Sequence, residues 1–454
     1  MGAEDRGEDF GQLCKQKDEQ QVELIDRILS GENLKQAIRA VKHNKGAAGV
    51  DRMPVDELDK YFLCHGEELK TQIRAKKYKP QPVRRVYIPK ANGKQRPLGI
   101  PTVVDRVIQQ AVAQVLSTGY ERYFSENSCG FRPGRGCHMA IRKALDYLNA
   151  GNEWVIDLDI EKYFDTVNHD KLVSILRERI NDAPTLHLIR AFLKAGVMED
   201  GLVSPSIEGV PQGGPLSPVL SNVYLDKLDK ELESRGLCYV RYADDCDIFV
   251  KSEMAANRVM TSVTSWLERK LRLKVSATKT KVVRPSKSIF LGFTFWKGKD
   301  GWKPMPAKDR KVKLYDKTRE ILYRKRAIAR PLANTFQRLN WLMRGWINYF
   351  GIGNMKEFLN KYGQWMRHKV RTVIIKQWKN PKTIYRNLQK LNKIGKSNLR
   401  DEDIFKVANS RLGWYRRCAG DVVNFTLTPK ILGIQTKDRP GLVDPLAYHL
   451  ARCT

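Results

Sequence analysis

Asp244 and Asp245 stand side by side between two apolar, β-prone runs, Leu237–Arg241 and Cys246–Val250. Runs rich in Tyr, Val, Ile and Phe around a short polar break predict a β-hairpin with the acids at its tip. Adjacent carboxylates in such a place repel each other and lose hydration, a cost that a cation removes. One reading is a hard divalent metal held through oxygen, most simply Mg²⁺. The plain alternative is a polar hairpin turn.

The 454 residues suggest two to four domains. Lys and Arg number 82 against 50 Asp and Glu, a formal charge of +32 with a pI near 9.8. So large an excess points to a polyanionic partner, with nucleic acid the first candidate. No apolar run approaches the roughly 18–20 residues of a membrane span, so no membrane partner is expected. The first twenty residues are polar and net acidic, without a signal-peptide core. Eight scattered cysteines form no C-x₂-C pair, and seven histidines form no zinc-binding group. A reducing, cytoplasmic setting is the default.

Along the chain, residues 1–20 read as a disordered extension. Apolar spacing predicts two short helices in Val22–Val41, broken near Gly31-Glu32-Asn33. Val83–Pro89 alternates as a strand, and Asn92-Gly93 signals a hairpin turn before Lys94–Gly99. Asp105–Leu116 reads as helical, and Val155–Ile160 as a short strand carrying Asp157 and Asp159. Further helices are expected over Asp170–Ile180, Pro184–Ala195, Ser217–Arg235 and Ala255–Leu271. Between Lys297 and Leu399 there are 27 basic residues and five acids, most of the net charge in under a quarter of the chain. Helices near Lys308–Ala329, Ala333–Phe350 and Met355–Trp378 would make a three-helix bundle. Trp341, Trp346, Trp365 and Trp378 interleave with those bases, to stack on a nucleic acid or to form the bundle core. The fold of Gly413–Thr454 is not legible.

Asp159 closes its strand about 85 residues before the hairpin. A carboxylate there, facing the Asp244-Asp245 pair, makes the oxygen cage that two-metal phosphoryl transfer needs. Asp157 shares its face by two-residue alternation and remains an alternative ligand.

Asp159-Ile160-Glu161-Lys162-Tyr163-Phe164-Asp165 and Tyr242-Ala243-Asp244-Asp245 resemble motifs A and C of a reverse transcriptase palm. The resemblance covers nearly the whole chain in the form of the bacterial group II intron-encoded reverse transcriptase, or maturase. It implies an α+β right-hand polymerase of fingers, palm and thumb, with an α-helical thumb and a small C-terminal DNA-binding unit. The implied division is fingers and palm over 21–300, thumb (domain X) over 301–378 and DNA-binding domain over 379–454.

Other segments match in chain order. Asn44–Asp51, with Lys45, resembles the N-terminal fingers motif over the template–primer. Ile88-Pro89-Lys90 and Arg96–Thr102 resemble the first fingers motif, in which Lys90 and Arg96 would hold the triphosphate. Gly130-Phe131-Arg132-Pro133-Gly134-Arg135 matches the next, and implies Arg132 as a nucleic-acid contact. Gly209–Pro218 matches motif B and sets Gln212 near the nascent pair; a Gly/Pro loop capping a helix is its plain alternative. Thr278-Lys279-Thr280-Lys281 matches motif D, where Lys279 would protonate pyrophosphate and Lys281 competes for the role. Phe290-Leu291-Gly292-Phe293 matches the last palm motif. Arg338, Asn340, Arg344, Trp346 and Tyr349 fall in a segment very like a domain X helix and are implied to bind nucleic acid.

On this resemblance, Asp159, Asp244 and Asp245 with the Ile160 carbonyl would hold two Mg²⁺, for which Mn²⁺ could substitute. Phe164, five residues after Asp159, stands where the family places a bulky gate against the ribose 2′-OH, which favours dNTPs. The implied activity is RNA-directed DNA polymerisation, with binding of group II intron RNA to assist splicing and retrohoming. The implied partners are intron RNA, an RNA template with DNA primer, target DNA and dNTPs, in a bacterial cytoplasm at the nucleoid or on RNA. The family's His/Cys-rich endonuclease domain has no counterpart here, which resembles the compact group IIC type. Two alternatives are an RNA-binding splicing cofactor with a vestigial polymerase, and a reverse transcriptase recruited to phage defence or repair.

Overall fold

The computed structural model describes residues 23–89, 93 and 95–453. Segment 1–20, Lys90 and Asn92 of the hairpin turn lie outside the described residues. The chain divides into two compact units, Met1–Ser288 and Ile289–Thr454.

In the first unit the acids ride on a four-stranded antiparallel sheet. Its strands are β3 (Trp154–Leu158), β6 (Cys238–Tyr242), β7 (Asp245–Val250) and β8 (Lys281–Val283), in the order β6-β7-β3-β8. Val155, Ile156, Leu158, Tyr239, Val240, Ile248 and Phe249 are all buried, because helices cover the sheet. Glu253–Trp266 packs on β3, β7 and β8, and Cys137–Asn149 on β6 and β7. A second sheet, in the order β2-β1-β4-β5, comprises β1 (Val83–Pro89), β2 (Gln95–Ile100), β4 (Val197–Glu199) and β5 (Leu202–Ser204). There β1 pairs antiparallel with β2, and parallel with β4.

The expected helices form, with ends set by capping chemistry. The two expected N-terminal helices are Leu24–Ile28 and Gly31–Asn44; Ser30 accepts from the Asn33 N–H, so the break falls at Leu29-Ser30, just before Gly31. Thr102 caps Val103–Tyr120, which extends past the expected Asp105–Leu116 because its apolar residues are buried almost all round. Asn168 caps His169–Arg177 and Asp182 caps Ala183–Lys194 in the same way. Asp105, 1% exposed, is buried without orphan oxygens: it accepts from Tyr78 Oη (2.6 Å), the Gln81 N–H (3.1 Å) and Thr102 Oγ1 (2.7 Å).

The second unit opens with the hairpin β9 (Phe293–Gly298) and β10 (Gly301–Pro306), followed by helices throughout. The stretch expected as one helix, Lys308–Ala329, is two, Lys308–Ile321 and Arg324–Ala329, because Tyr323 is extended at ψ 117°. Leu332–Phe350 buries Phe336, Leu339, Met343, Ile347 and Phe350, the i, i+3, i+4 stripe of a core-facing helix. Lys356–Gln377 buries Leu359, Tyr362, Met366, Val370, Val373 and Ile374 in the same manner. Short helices follow at Trp414–Arg417, Asp421–Thr426, Pro429–Gly433 and Pro445–Cys453, with a loop over 434–444. No described helix is long and apolar enough to cross a membrane.

Candidate active site

Tyr242 pairs with Asp245, leaving Ala243 and Asp244 as a two-residue loop between β6 and β7. Ala243 sits at φ 59°, where such loops usually carry glycine. The cost of that left-handed alanine is offset from beneath. Arg241 is wholly buried, and all five of its N–H donors are used. Nη1 donates to the Ala243 carbonyl (2.9 Å) and Asn222 Oδ1 (3.1 Å). Nε donates to Asp229 Oδ1 (2.8 Å), and Nη2 to Ser128 Oγ (2.8 Å) and Asp229 Oδ2. Asn222 Nδ2 in turn donates to the Gly130 carbonyl (2.9 Å). A Cβ at Gly130 would lie 2.3 Å from the Ala243 nitrogen, so only glycine lets that backbone back onto the turn.

Asp159 follows the end of β3. Its N–H donates to Thr280 Oγ1 (3.2 Å), its carbonyl accepts from Ser276 N (2.9 Å), and Lys279 Nζ reaches Oδ1 (2.8 Å) and Oδ2 (2.9 Å). The adjoining bridge between Ile160 and Val275 is made by the amides and carbonyls of their neighbours, which leaves the Ile160 carbonyl out of it. Asp157 stands one alternation deeper, opposite Asp247 on β7 and Lys281 on β8. Lys279 and Lys281 therefore face different carboxylates, Asp159 and Asp157.

The carboxylates strain one another electrostatically. Burial, then the Asp159 charge, raises the Asp244 carboxyl above its usual range, and Arg96 and Lys279 oppose the rise. Asp245 opens to solvent at the tip. The protein packed behind it, then Asp244, Asp157 and Asp159, push it up to about 6. Asp247, 1% exposed and bonded by Ser288 Oγ (3.3 Å), is raised by burial and then by Asp157. Hard carboxylate oxygens in mutual repulsion are the donor chemistry a divalent cation takes; from the chain itself Lys279 pairs with Asp159, while Lys281 acts on Asp157 and Arg96 on Asp244.

Phe164 lies on the short helix Tyr163–Thr166, half-buried and edge-on to Tyr163 at 5.2 Å. Its carbonyl accepts from Val210 N (2.6 Å), while Gly99 N donates to the Gln212 carbonyl (2.7 Å). The loop from Gly209 is thereby stitched to the Phe164 helix on one side and to β2 on the other. These three segments, with Arg85, line a cleft of about 360 Å³ that brings Phe164 and Gln212 together. Arg96 is exposed on β2 and Lys45 exposed at the end of Gly31–Asn44.

Two expected nucleic-acid contacts turn inward instead. Arg132, 6% exposed, spends its guanidinium on Glu121 and on the Ser125 and Ser128 carbonyls. Asn340, 5% exposed, donates to the Gly441 carbonyl (2.7 Å) and accepts from Val443 N (2.9 Å). Both serve as ties because a buried polar group must find its partners within the protein. Arg338 and Arg344 are exposed, the latter over the Tyr448 ring at 6.0 Å. Tyr349 is partly exposed and donates to the Leu291 carbonyl (2.8 Å). Trp346 packs on Phe350 and Phe358, and Trp365 on Tyr315 and Tyr362, both half-buried; Trp341 is 64% exposed.

The residues that the sequence did not single out are Arg241, Asp229 and Asn222. An arginine directly before the Tyr-Ala-Asp-Asp stretch, inside an apolar strand, was the available signal. One turn before Asp229, Asp226 is pushed up to about 6 by burial and then by the Asp229 carboxylate, and its Oδ1 is buried without a partner among the described residues. A folded-state value above the ordinary one means that the folded chain holds this proton more tightly than the unfolded chain. The associated stability is present below about pH 4 and lost as pH rises through about 6. Asp226→Asn should therefore stabilise the protein at pH 7.5, by at most about 3 kcal/mol, and barely change it at pH 4. Denaturant melts at both pH values check this; equal shifts at both would contradict it.

Comparison with known proteins gives two family matches. Residues 88–295 match the reverse transcriptase (RNA-dependent DNA polymerase) family, and residues 312–392 the group II intron, maturase-specific domain. Protein YkfC of Escherichia coli K12 is 36% identical over 310 residues, covering 59% of this chain and 81% of that protein. Group II intron-encoded protein LtrA of Lactococcus lactis subsp. cremoris is 30% identical over 398 residues, covering 66% of each. The putative COX1/OXI3 intron 2 protein of Saccharomyces cerevisiae is 32% identical over 251 residues, 55% of this chain but 28% of its own length. The chain thus spans about two thirds of LtrA and less of the yeast protein.

Proposed function

The chain belongs to the group II intron reverse transcriptase–maturases, divalent-metal-dependent RNA-directed DNA polymerases that assist splicing, and we propose that it copies RNA into cDNA at Asp159, Asp244 and Asp245. The mutual electrostatic influence of Asp159, Asp244 and Asp245, which raises the last two, carries the reading. Their chemistry suits two Mg²⁺ held by Asp159 and Asp244, with Asp245 and the Ile160 carbonyl assisting. When bound, the ions supply the charge that lowers the pKa of a primer 3′-OH and stabilises leaving pyrophosphate.

The chain's own residues do the rest. Phe164 and Gln212 on the shared cleft orient a dNTP against the template, and the cationic Arg96 receives its triphosphate. Lys279, within 2.8 Å of an Asp159 oxygen, would give a proton to the pyrophosphate. A metal ion on Asp159 competes with this ammonium for the same oxygens. The partners follow: intron RNA, RNA template with DNA primer, target DNA and dNTPs, in a bacterial cytoplasm. Fingers and palm, thumb and DNA-binding regions would divide near residues 300 and 378.

Primer extension on an RNA template, with dNTPs against rNTPs, tests the reading; extension with neither would overturn it. Phe164→Ala should raise rNTP incorporation relative to dNTP by ten-fold or more, on the order of the discrimination that shape exclusion supplies. Unchanged sugar discrimination would mean that Phe164 is only packing.

A further inference from the structure

The second unit contains a cavity of about 410 Å³ that none of the assigned residues lines. Its floor is Leu322, Thr372 and Val373, all buried. Tyr323 and Tyr415 stand in its wall with 53% and 47% of their surface exposed. Arg319, Arg324, Lys325 and Lys369 complete the lining, and no carboxylate does.

The site is built rather than incidental. The helix break at Leu322-Tyr323 turns Tyr323 outward, and Gln377 Nε2 pins the next helix by donating to the Ala327, Ile328 and Arg330 carbonyls (3.3, 3.3 and 2.8 Å). His368 holds Tyr415 edge-on at 4.1 Å, and Lys369 Nζ lies 4.7 Å from the same ring centre. Arg319 is paired with Asp316 (2.6 Å), whereas Arg324, Lys325 and Lys369 have no ion pair among the described residues. Cations that merely solubilise a surface spread apart; here they share one concavity with two half-bare aromatic rings. Each exposed ring leaves apolar area in water that a flat apolar partner would cover.

We propose that this cavity captures one unstacked nucleotide of a single-stranded polynucleotide, its base on the Tyr323 or Tyr415 ring and its flanking phosphates on Arg324, Lys325 and Lys369. The volume lies in the range of small-ligand pockets and admits a nucleotide but not a duplex. Ring faces accept any base, and the cations supply charge-assisted bonds to phosphate. The assignment rests on the chain being a nucleic-acid enzyme, and adds a strand-holding point separate from the carboxylates.

Single-stranded RNA and DNA oligonucleotides carrying one 5-iodouracil, irradiated with the full chain, should crosslink to Tyr323 or Tyr415 by peptide mapping. The RNA and DNA arms identify which strand the cavity prefers. The Ala variant of the tyrosine that crosslinks should weaken binding of the preferred strand about ten-fold, and its Phe variant should retain most of it. Thermal melts, unaffected for such exposed side chains, exclude misfolding. No crosslink at either tyrosine, with Ala variants binding like the parent, overturns the cavity while parent primer extension still stands. Loss of parent primer extension with the crosslinks retained strikes the polymerase reading alone.

Discussion

Arg241→Met should destabilise the first unit by about 3–5 kcal/mol and leave primer extension undetectable. The substitution strands the fully buried Asp229 carboxylate without its cation and leaves Ser128, Asn222 and the Ala243 carbonyl without their donors. Whole domains are stable by only about 5–15 kcal/mol, so the loss is a large share. Stability and positioning separate in the double variant Arg241→Met/Asp229→Leu. Removing both charges of a buried pair is often nearly neutral, so much of the stability should return. The Ala243 carbonyl, in a residue at φ 59°, still lacks its Arg241 donor, and extension should stay low. Denaturant melts and single-nucleotide extension read the two effects independently. A double variant that extends like the parent would show that Arg241 serves stability alone.

Asp244→Asn should reduce primer extension by at least about 10³-fold, the several kcal/mol that charge stabilisation of the transition state supplies. The amide keeps the shape of the turn and removes one of the repelling charges. Because burial and Asp159 raise the Asp244 carboxyl, the variant should melt no lower than the parent at pH 7.5 without divalent cations. RNA binding should survive. Asp159→Asn should lose extension similarly; it also breaks the Lys279 pair, but that lysine is 65% exposed and the pair is worth about 1 kcal/mol or less. Extension within ten-fold of the parent, or RNA binding lost in step with it, would count against these carboxylates as the catalytic centre.

The local features of this site were legible from residue order. The acids were expected at a hairpin tip and are there, since apolar alternation on both sides leaves Ala243-Asp244 as the only break. Asp159 was expected at a strand end and follows Leu158. Helices from Val103 to Gln377 follow their apolar spacing, with ends moved by a cap at Thr102 or an extended residue at Tyr323.

What spacing could not carry was the choice of distant partners. Arg132 and Asn340 read as contacts for a polyanion, yet Glu121 and the Gly441–Val443 backbone claim them. Lys279 and Lys281 are two residues apart and equivalent in sequence, but strand register sets one against Asp159 and the other against Asp157. Arg241 reads as a charge in an apolar strand until Asp229 and Asn222, on the helix Ser217–Ser234, close around it.

Backbone propensity and two- or 3.6-residue periodicity are local, so the sequence by itself determined the elements, the acid pair at the hairpin tip and the basic second unit. Which buried polar group meets which partner depends on packing across 11 to 103 residues of chain, from Arg132 and Glu121 to Asn340 and Val443. Desolvation makes a wrong pairing there cost several kcal/mol, and only the tertiary structure decides it.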